Sequence, residues 1–363
     1  SVHSPPTIQS FTANPDTIVT GGSSTLAWST NAASVSIDNG AGNDLPADGS
    51  VSVSPTETTT YTLTATGPAG DSTAQATVTV AEALEIPFET GVVSNVSNIS
   101  WTTVNLTKTY DDMVVVCSPN YSNQEPPLVV RVQNAGTSSF EVSVDRADGS
   151  NIAISGIDVH YLVVEEGVYT EASHDIKMEA VQFNSGITDR KGSWIGEMRT
   201  YANTYSNPVV LGQNMTHNDE RFSVFWSRGT SKSNPPSASV LWVGKHIGED
   251  PVTARSQETI GYIVFEAGLG MINGQEFLAG IGGDSIRGMT NDPPYSYALS
   301  GLLSTSVAVV SSAGMDGGDG GWPVLYGQNP VTASNLNLAI DEDQLKNTER
   351  SHTTEQISYA IFE

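Results

Sequence analysis

The sequence has almost no sulfur chemistry to offer, because Cys117 is the only cysteine among 363 residues. An intrachain disulfide, a cysteine-based zinc site and a C-x-x-C redox pair are therefore excluded, and stability must come from packing. Cys117 itself ends the apolar run Met113–Cys117, the setting of a buried structural thiol rather than a nucleophile. Basic residues are also scarce, with Lys+Arg 15 against Asp+Glu 40 and a formal net charge of −25. Such a balance repels a phosphate backbone and an anionic lipid surface, which argues against nucleic acid and membrane partners; it suits cations, or simply solubility. No apolar run reaches the length of a membrane span and no basic-plus-apolar leader opens the sequence, so no membrane insertion is expected and the chain reads as a mature or excised soluble one. Catalytic signatures are missing too. The histidines His3, His160, His174, His217, His246 and His352 are scattered without metalloprotease spacing, and no serine sits in a G-x-S-x-G turn.

What is present is short alternating strands joined by Gly, Pro, Asn, Ser and Thr turns, the pattern of an all-β protein. At this length several domains are expected. Residues 1–84 form the first. There Ser24, Leu26 and Trp28 alternate with Thr25 and Ala27, and Tyr61, Leu63 and Ala65 repeat the pattern. The opening SFTANPDTIVTGGSSTLAWST and the hairpin TTTYTLTATG resemble the bacterial Ig-like modules found along secreted enzymes and adhesins. The resemblance implies an antiparallel sandwich with Trp28 in its core, a spacer role and an extracellular setting, secreted or at the cell surface. Residues 81–91 lose the alternation and are expected to be a linker.

The remainder carries an internal repeat. Its closing strand reads VHYLVVE around Tyr161, IGYIVFE around Tyr262 and ISYAIFE around Tyr359, the tyrosines lying 101 and 97 positions apart. Upstream stand Val114-Val115-Val116, Val209-Val210-Leu211 and Ala308-Val309-Val310. The spacing assigns copy 1 to residues 85–169, copy 2 to 170–267 and copy 3 to 268–363, each a tandem antiparallel β-sandwich, the last ending at the repeat boundary. In copy 1 the order Trp101-Thr-Thr-Val104, Tyr110, Pro126-Pro-Leu-Val-Val-Arg-Val132 and Ser139-Phe-Glu-Val142 is similar to that of H-type lectin domains. That likeness implies six-stranded sandwiches that bind sugars, and a monomer whose three copies pack about a pseudo-threefold axis.

Chemistry concentrates in copy 3. The run Gly314-Met-Asp316-Gly-Gly-Asp319-Gly-Gly-Trp322 precedes Asp341-Glu-Asp343, and Asp316, Asp319, Asp341 and Asp343 are the candidate calcium ligands, since a Gly-rich turn lets carboxylates and carbonyls converge on a hard cation. A flexible solvated turn is the competing reading. Copy 2 has Gly248-Glu249-Asp250 before Arg255 and Glu258, and copy 3 has Arg350, His352 and Glu355 before its closing strand. These groups orient sugar hydroxyls or else lock loops by ion pairing. Sugar sites also want an aromatic platform, for which Trp322, Tyr326 and Trp194 are the candidates, Trp322 first because no alternating strand surrounds it. Trp101, Trp226 and Trp242 lie in apolar strands and are expected in cores. The sequons at Asn95, Asn98, Asn105, Asn120 and Asn214 are given no role. The function expected is weak, multivalent, non-catalytic binding of a polysaccharide or cell-surface glycan, with calcium as the candidate cofactor. The alternatives are a polysaccharide-degrading hydrolase or lyase built on a carboxylate pair, and a purely structural stalk.

Overall fold

The computed structural model describes residues 4–302 and 304–363; residues 1–3, which begin the segment assigned to the first module, and Leu303 in copy 3 lie outside it. The described chain is all-β, with six sheets and one four-residue helix. None of its helices is long and apolar enough to cross a membrane. It divides into two compact units: the chain up to Glu85 together with Tyr169–Ile176, and Ile86–Val168 together with Lys177–Glu363.

In unit 1 one sheet runs β1 (Ile8–Asn14), β3 (Ser24–Thr30), β6 (Asp48–Val53), and the other runs β2 (Thr17–Val19), β8 (Gly70–Ala81), β7 (Thr59–Gly67), β4 (Ser34–Ile37), β5 (Gly42–Leu45). The alternation read in β3 and β7 is the alternation of burial: Leu26, Trp28, Tyr61, Leu63 and Ala65 fill the core with Val35, Ile37 and Val78. Trp28 is buried without an orphaned donor, because its indole N–H donates to the Pro46 carbonyl at 3.0 Å. Residues 169–176, which straddle the boundary assigned between copies 1 and 2, contribute the helix α1 (Glu171–His174) to this unit, and the Leu84 N–H donates to the Ser173 carbonyl at 2.8 Å.

In unit 2 each sequence repeat supplies the same two strand sets. Copy 1 gives β9 (Phe88–Val96), β14 (Ile157–Glu165), β11 (Met113–Tyr121) and, separately, β10 (Thr102–Asn105), β13 (Ser139–Arg146), β12 (Leu128–Gln133). Copy 2, which starts a few residues earlier than assigned, gives β15 (Gly167–Tyr169), β16 (Met178–Ser185), β21 (Glu258–Glu266), β18 (Pro208–Asn214) and β17 (Glu197–Arg199), β20 (Leu241–His246), β19 (Val224–Arg228). Copy 3 gives β22 (Gly268–Ile272), β23 (Gln275–Ile281), β28 (Ile357–Phe362), β25 (Val307–Ala313) and β24 (Tyr295–Ala298), β27 (Asn335–Asp341), β26 (Trp322–Tyr326). The closing strands β14, β21 and β28 are central, each flanked by its apolar strand β11, β18 or β25. Phe88–Gly91, expected in the linker, instead pair with Tyr161–Val164, and Gly91 is needed because a Cβ there would strike the Tyr161 ring.

The copies do not keep their sheets to themselves. Parallel pairing joins β11 of copy 1 to β26 of copy 3, and β25 of copy 3 to β19 of copy 2. At the third seam the Gln213 side chain donates to the Val130 carbonyl of β12 at 3.3 Å. The ladders also define equivalent positions, since Cys117, Gly212 and Val310 each pair with a closing tyrosine. Copy 3 is therefore shifted by one residue from the sequence alignment, its triplet being Val307-Ala308-Val309. At the next position of each apolar strand a polar side chain crosses to another copy. Ser118 accepts from the Val310 N–H at 2.8 Å, Ser311 from the Gly212 N–H at 3.0 Å, and Gln213 from the Cys117 N–H at 3.4 Å. The three bonds close a ring, copy 1 to 3 to 2 to 1. Every residue of β18 and β25 is buried, since both faces are covered, which is why these strands read as continuous apolar runs.

Candidate functional site

The loops at the ends of the second strand sets gather most of the residues singled out above. Asp341, at the end of β27, is fully buried and takes a two-pronged bond from Arg350, Nε to Oδ1 at 2.8 Å and Nη2 to Oδ2 at 2.7 Å. The Tyr121 hydroxyl of copy 1 donates to the same carboxylate at 2.6 Å, and Arg350 Nη1 reaches the Glu125 carbonyl at 2.7 Å. His352 is buried between two carboxylates, Nδ1 against Glu342 and Nε2 against Glu355 at 2.8 Å, a setting in which ionised carboxylates call for a proton on each ring nitrogen. Burial alone would lower its pKa, but the bonds to Glu342 and Glu355 overcome that and raise it to about 9. Glu355 also accepts the N–H groups of Asp316 and Gly317, both at 2.8 Å, which anchors the Gly-rich turn. Asp343 accepts from the Glu249 N–H at 2.8 Å, where Gly248 leaves room that a Cβ would fill.

The oxygens offered to a cation meet ammonium groups. Lys191 bridges Asp319 at 2.5 Å and Glu249 at 2.7 Å, and Lys232 Nζ donates to the carbonyls of Met315 and Asp316, both at 2.8 Å. Asp316, Asp319, Asp341 and Asp343 do not converge: among the described residues no group of three or more His, Cys, Asp or Glu is arranged to hold a metal ion. Arg350, His352 and Glu355 are likewise buried, Arg350 spent on Asp341 and His352 bonded to Glu355. Trp322 corrects the expectation most plainly. It opens β26, is only 3% exposed, packs on Phe222 and donates its indole N–H to the Leu128 carbonyl at 2.9 Å. Its strand is covered on both sides, so no alternation announced its burial. Tyr326, at the far end of β26, and Trp194 are partly exposed; the Trp194 ring stands edge-on to Trp226 at 5.3 Å and tilted over His246 at 5.6 Å. Trp242, expected in a core, is partly exposed as well.

An open cleft of about 480 Å³ lies on the seam between copies 1 and 2, and of the groups given a candidate role in sequence it takes in only Asp250. Asn98, Ile99, Asp145, Arg146 and Gly149–Asn151 come from copy 1, Glu220–Phe222 and Asp250 from copy 2, and Leu345 from copy 3. Its guanidinium groups are held in fixed poses: Arg221 grips the buried Asp250 with Nε at 2.8 Å and Nη2 at 2.7 Å, and Arg146 grips Asp148 with Nε at 3.0 Å and Nη2 at 2.5 Å. Arg255 shares Asp250 at 2.6 Å, and Asp145 is paired with the buried Arg131. Ile99 is 70% exposed and Ile152, whose carbonyl accepts from Arg146 and from Asn98, is 69% exposed. No protein-family model, no curated protein and no solved structure matches this chain. The cleft's chemistry therefore stands on its own residues: fixed N–H forks, amides and hydroxyls beside aliphatic surface. The signal in sequence was the acid–base pairing of Asp145-Arg146-Ala-Asp148 and Glu220-Arg221, which carries weight only once Asp250 is seen to join them.

Proposed function

We propose that the chain is an extracellular, non-catalytic glycan-binding region of a bacterial multidomain protein. In this reading unit 1 is an Ig-like spacer, and unit 2 is three lectin-like sandwiches closed about a pseudo-threefold axis within one chain. The closed ring of bonds through Ser118, Gln213 and Ser311 and the repeated strand order support the axis. The cleft on the seam of copies 1 and 2 carries the functional reading. It is large enough for one or two sugar rings, and its preset guanidinium donors and amides suit hydroxyl groups, which both donate and accept. Arg146, Arg221 and Asp145 are already paired with Asp148, Asp250 and Arg131, and Glu220 is solvent-exposed, so an uncharged ligand costs no broken ion pair.

A catalytic carboxylate pair has less support. Burial raises the pKa of Glu342 and moves that of Asp343 up to about 6, yet both are closed inside the protein and bonded to His352 and the Glu249 N–H. The deciding experiment is binding of soluble oligosaccharides to the whole chain, with product assays alongside. Neutral saccharides should bind weakly and be recovered intact, and Arg221→Ala should cut affinity by about tenfold or more, the weight of hydrogen bonds to a charged donor. Turnover of any saccharide, or full affinity in Arg221→Ala, overturns the reading. Addition of EDTA is expected to leave binding unchanged, because Lys191 and Lys232 already serve the oxygens of the Gly-rich turn.

A further inference from the structure

The second strand set of copy 2 presents a different surface. Register places Met198 of β17 opposite Trp242 of β20, and Trp242 opposite Arg228 of β19. Alternation puts these three on the face opposite Phe225, Leu241 and Val243, which fill the core of copy 2. The Arg228 guanidinium covers the Trp242 ring at 4.4 Å and is itself fixed by the carbonyls of Gly229 at 2.9 Å and Ile195 at 2.6 Å. Trp242 is partly exposed, while Met198 and Ile195 beside it are 67% and 53% exposed. Two residues along the same face, Trp226 is covered by Trp194.

We propose that the Met198–Trp242–Arg228 row is a second binding surface, a stacking platform for a neutral polysaccharide chain; the proposal rests on the glycan reading and adds a site outside the cleft. Three adjacent strands span about 10 Å, the length of a disaccharide. The guanidinium stacked on one side of the ring and the strand beneath it hold the partly exposed indole rigid, so its remaining apolar surface is presented at little entropic cost. Charge selects the occupant. Asp189, behind the row, is buried and accepts the indole N–H of Trp226 at 2.9 Å and the Gly196 N–H at 3.0 Å. The flanking Glu197 and Arg199 point to the other face, bonded to Ser185 and stacked on Phe183. Arg228, the row's own cation, is buried at 9% exposure and spent on the Trp242 ring and two carbonyls, so the row turns no exposed charge toward an ionic ligand, and a chain of net charge −25 repels polyanions.

The test compares retention of the full chain on insoluble cellulose, chitin and mannan with its binding of soluble oligosaccharides. Trp242→Ala and Met198→Ala should weaken retention on at least one insoluble polymer about three- to tenfold, the weight of one stacking contact. Both should leave soluble oligosaccharide binding at the cleft intact, and Trp242→Phe should keep part of the retention. Thermal melts of the variants establish that they fold. Retention unchanged in Trp242→Ala overturns the platform alone, since wild-type binding would stand; a wild-type chain that binds no glycan of either kind overturns both the platform and the glycan reading. Retention on sulfated or carboxylated polymers in place of neutral ones also overturns the platform.

Discussion

A single buried imidazole links stability to pH. His352, clamped by Glu342 and Glu355, has its pKa raised from the ordinary 6.5 to about 9, so the folded state holds a proton that the unfolded chain gives up earlier. Its stabilising contribution is complete below pH 6.5 and is lost as pH rises through 9. Asp343, raised by burial from 3.8 to about 6, acts in the same direction at lower pH, its contribution falling as pH climbs from about 4 to 6. The melting temperature of unit 2 is therefore expected to decline between pH 6.5 and 9, and His352→Gln should flatten that part of the curve while lowering its acid end; an unchanged slope in the variant would refute the assignment. Lys232 offers a second test. Its ammonium gathers carbonyls of the Gly-rich turn, and Lys232→Met strips their donors, with an expected loss of about 1–3 kcal/mol in denaturant titration.

At the scale of elements, the three strands β11, β18 and β25 are tied to one another by one polar side chain each. Gln213→Leu should destabilise unit 2 by about 1–3 kcal/mol, because it leaves the buried Cys117 N–H without an acceptor and removes the donor to Val130, whereas the same change on an exposed strand face would cost little. Chemical denaturation of the variant checks this. Gly212→Ala is expected to be worse, since a Cβ there would overlap the Phe225 ring. How much of the architecture was legible depended on whether a strand has one wet face. The alternation of Leu26 and Trp28, or of Tyr61 and Leu63, declared both strand and core. The closing tyrosines and apolar triplets located the repeats, but in β25, buried on both faces, nothing fixed the register, and the alignment slipped by one residue. The same blindness exchanged two tryptophans. Trp322 looked free because its strand has no polar partner face, and Trp242 looked buried because it alternates with Val240, although its side of the sheet is outward. The Arg, His and Asp cluster of copy 3 was visible as chemistry, but only geometry shows that its groups satisfy one another and that the open cleft is on another seam.

For the molecule as a whole, shared sheets mean that a copy is not an independent folding unit. Calorimetry of the full chain is expected to show unit 2 unfolding in one cooperative transition, and a fragment carrying copy 3 alone should remain unfolded, since β25 and β26 would lose their neighbours β19 and β11. A copy 3 fragment with a sharp melt of its own would contradict this. The pairing of β11 with β26 joins residues about two hundred positions apart, and both parallel seams need strands from copy 3. Such non-local closure is slow, because loop entropy is spent before any contact rewards it. Until copy 3 arrives, β11 and β19 are bare edges, able to recruit a strand from a neighbouring molecule. The order of the repeats thus sets a hazard during synthesis: a chain interrupted before copy 3 is poised to exchange strands with its own kind, and copy 3 acts as the cap that ends that exposure.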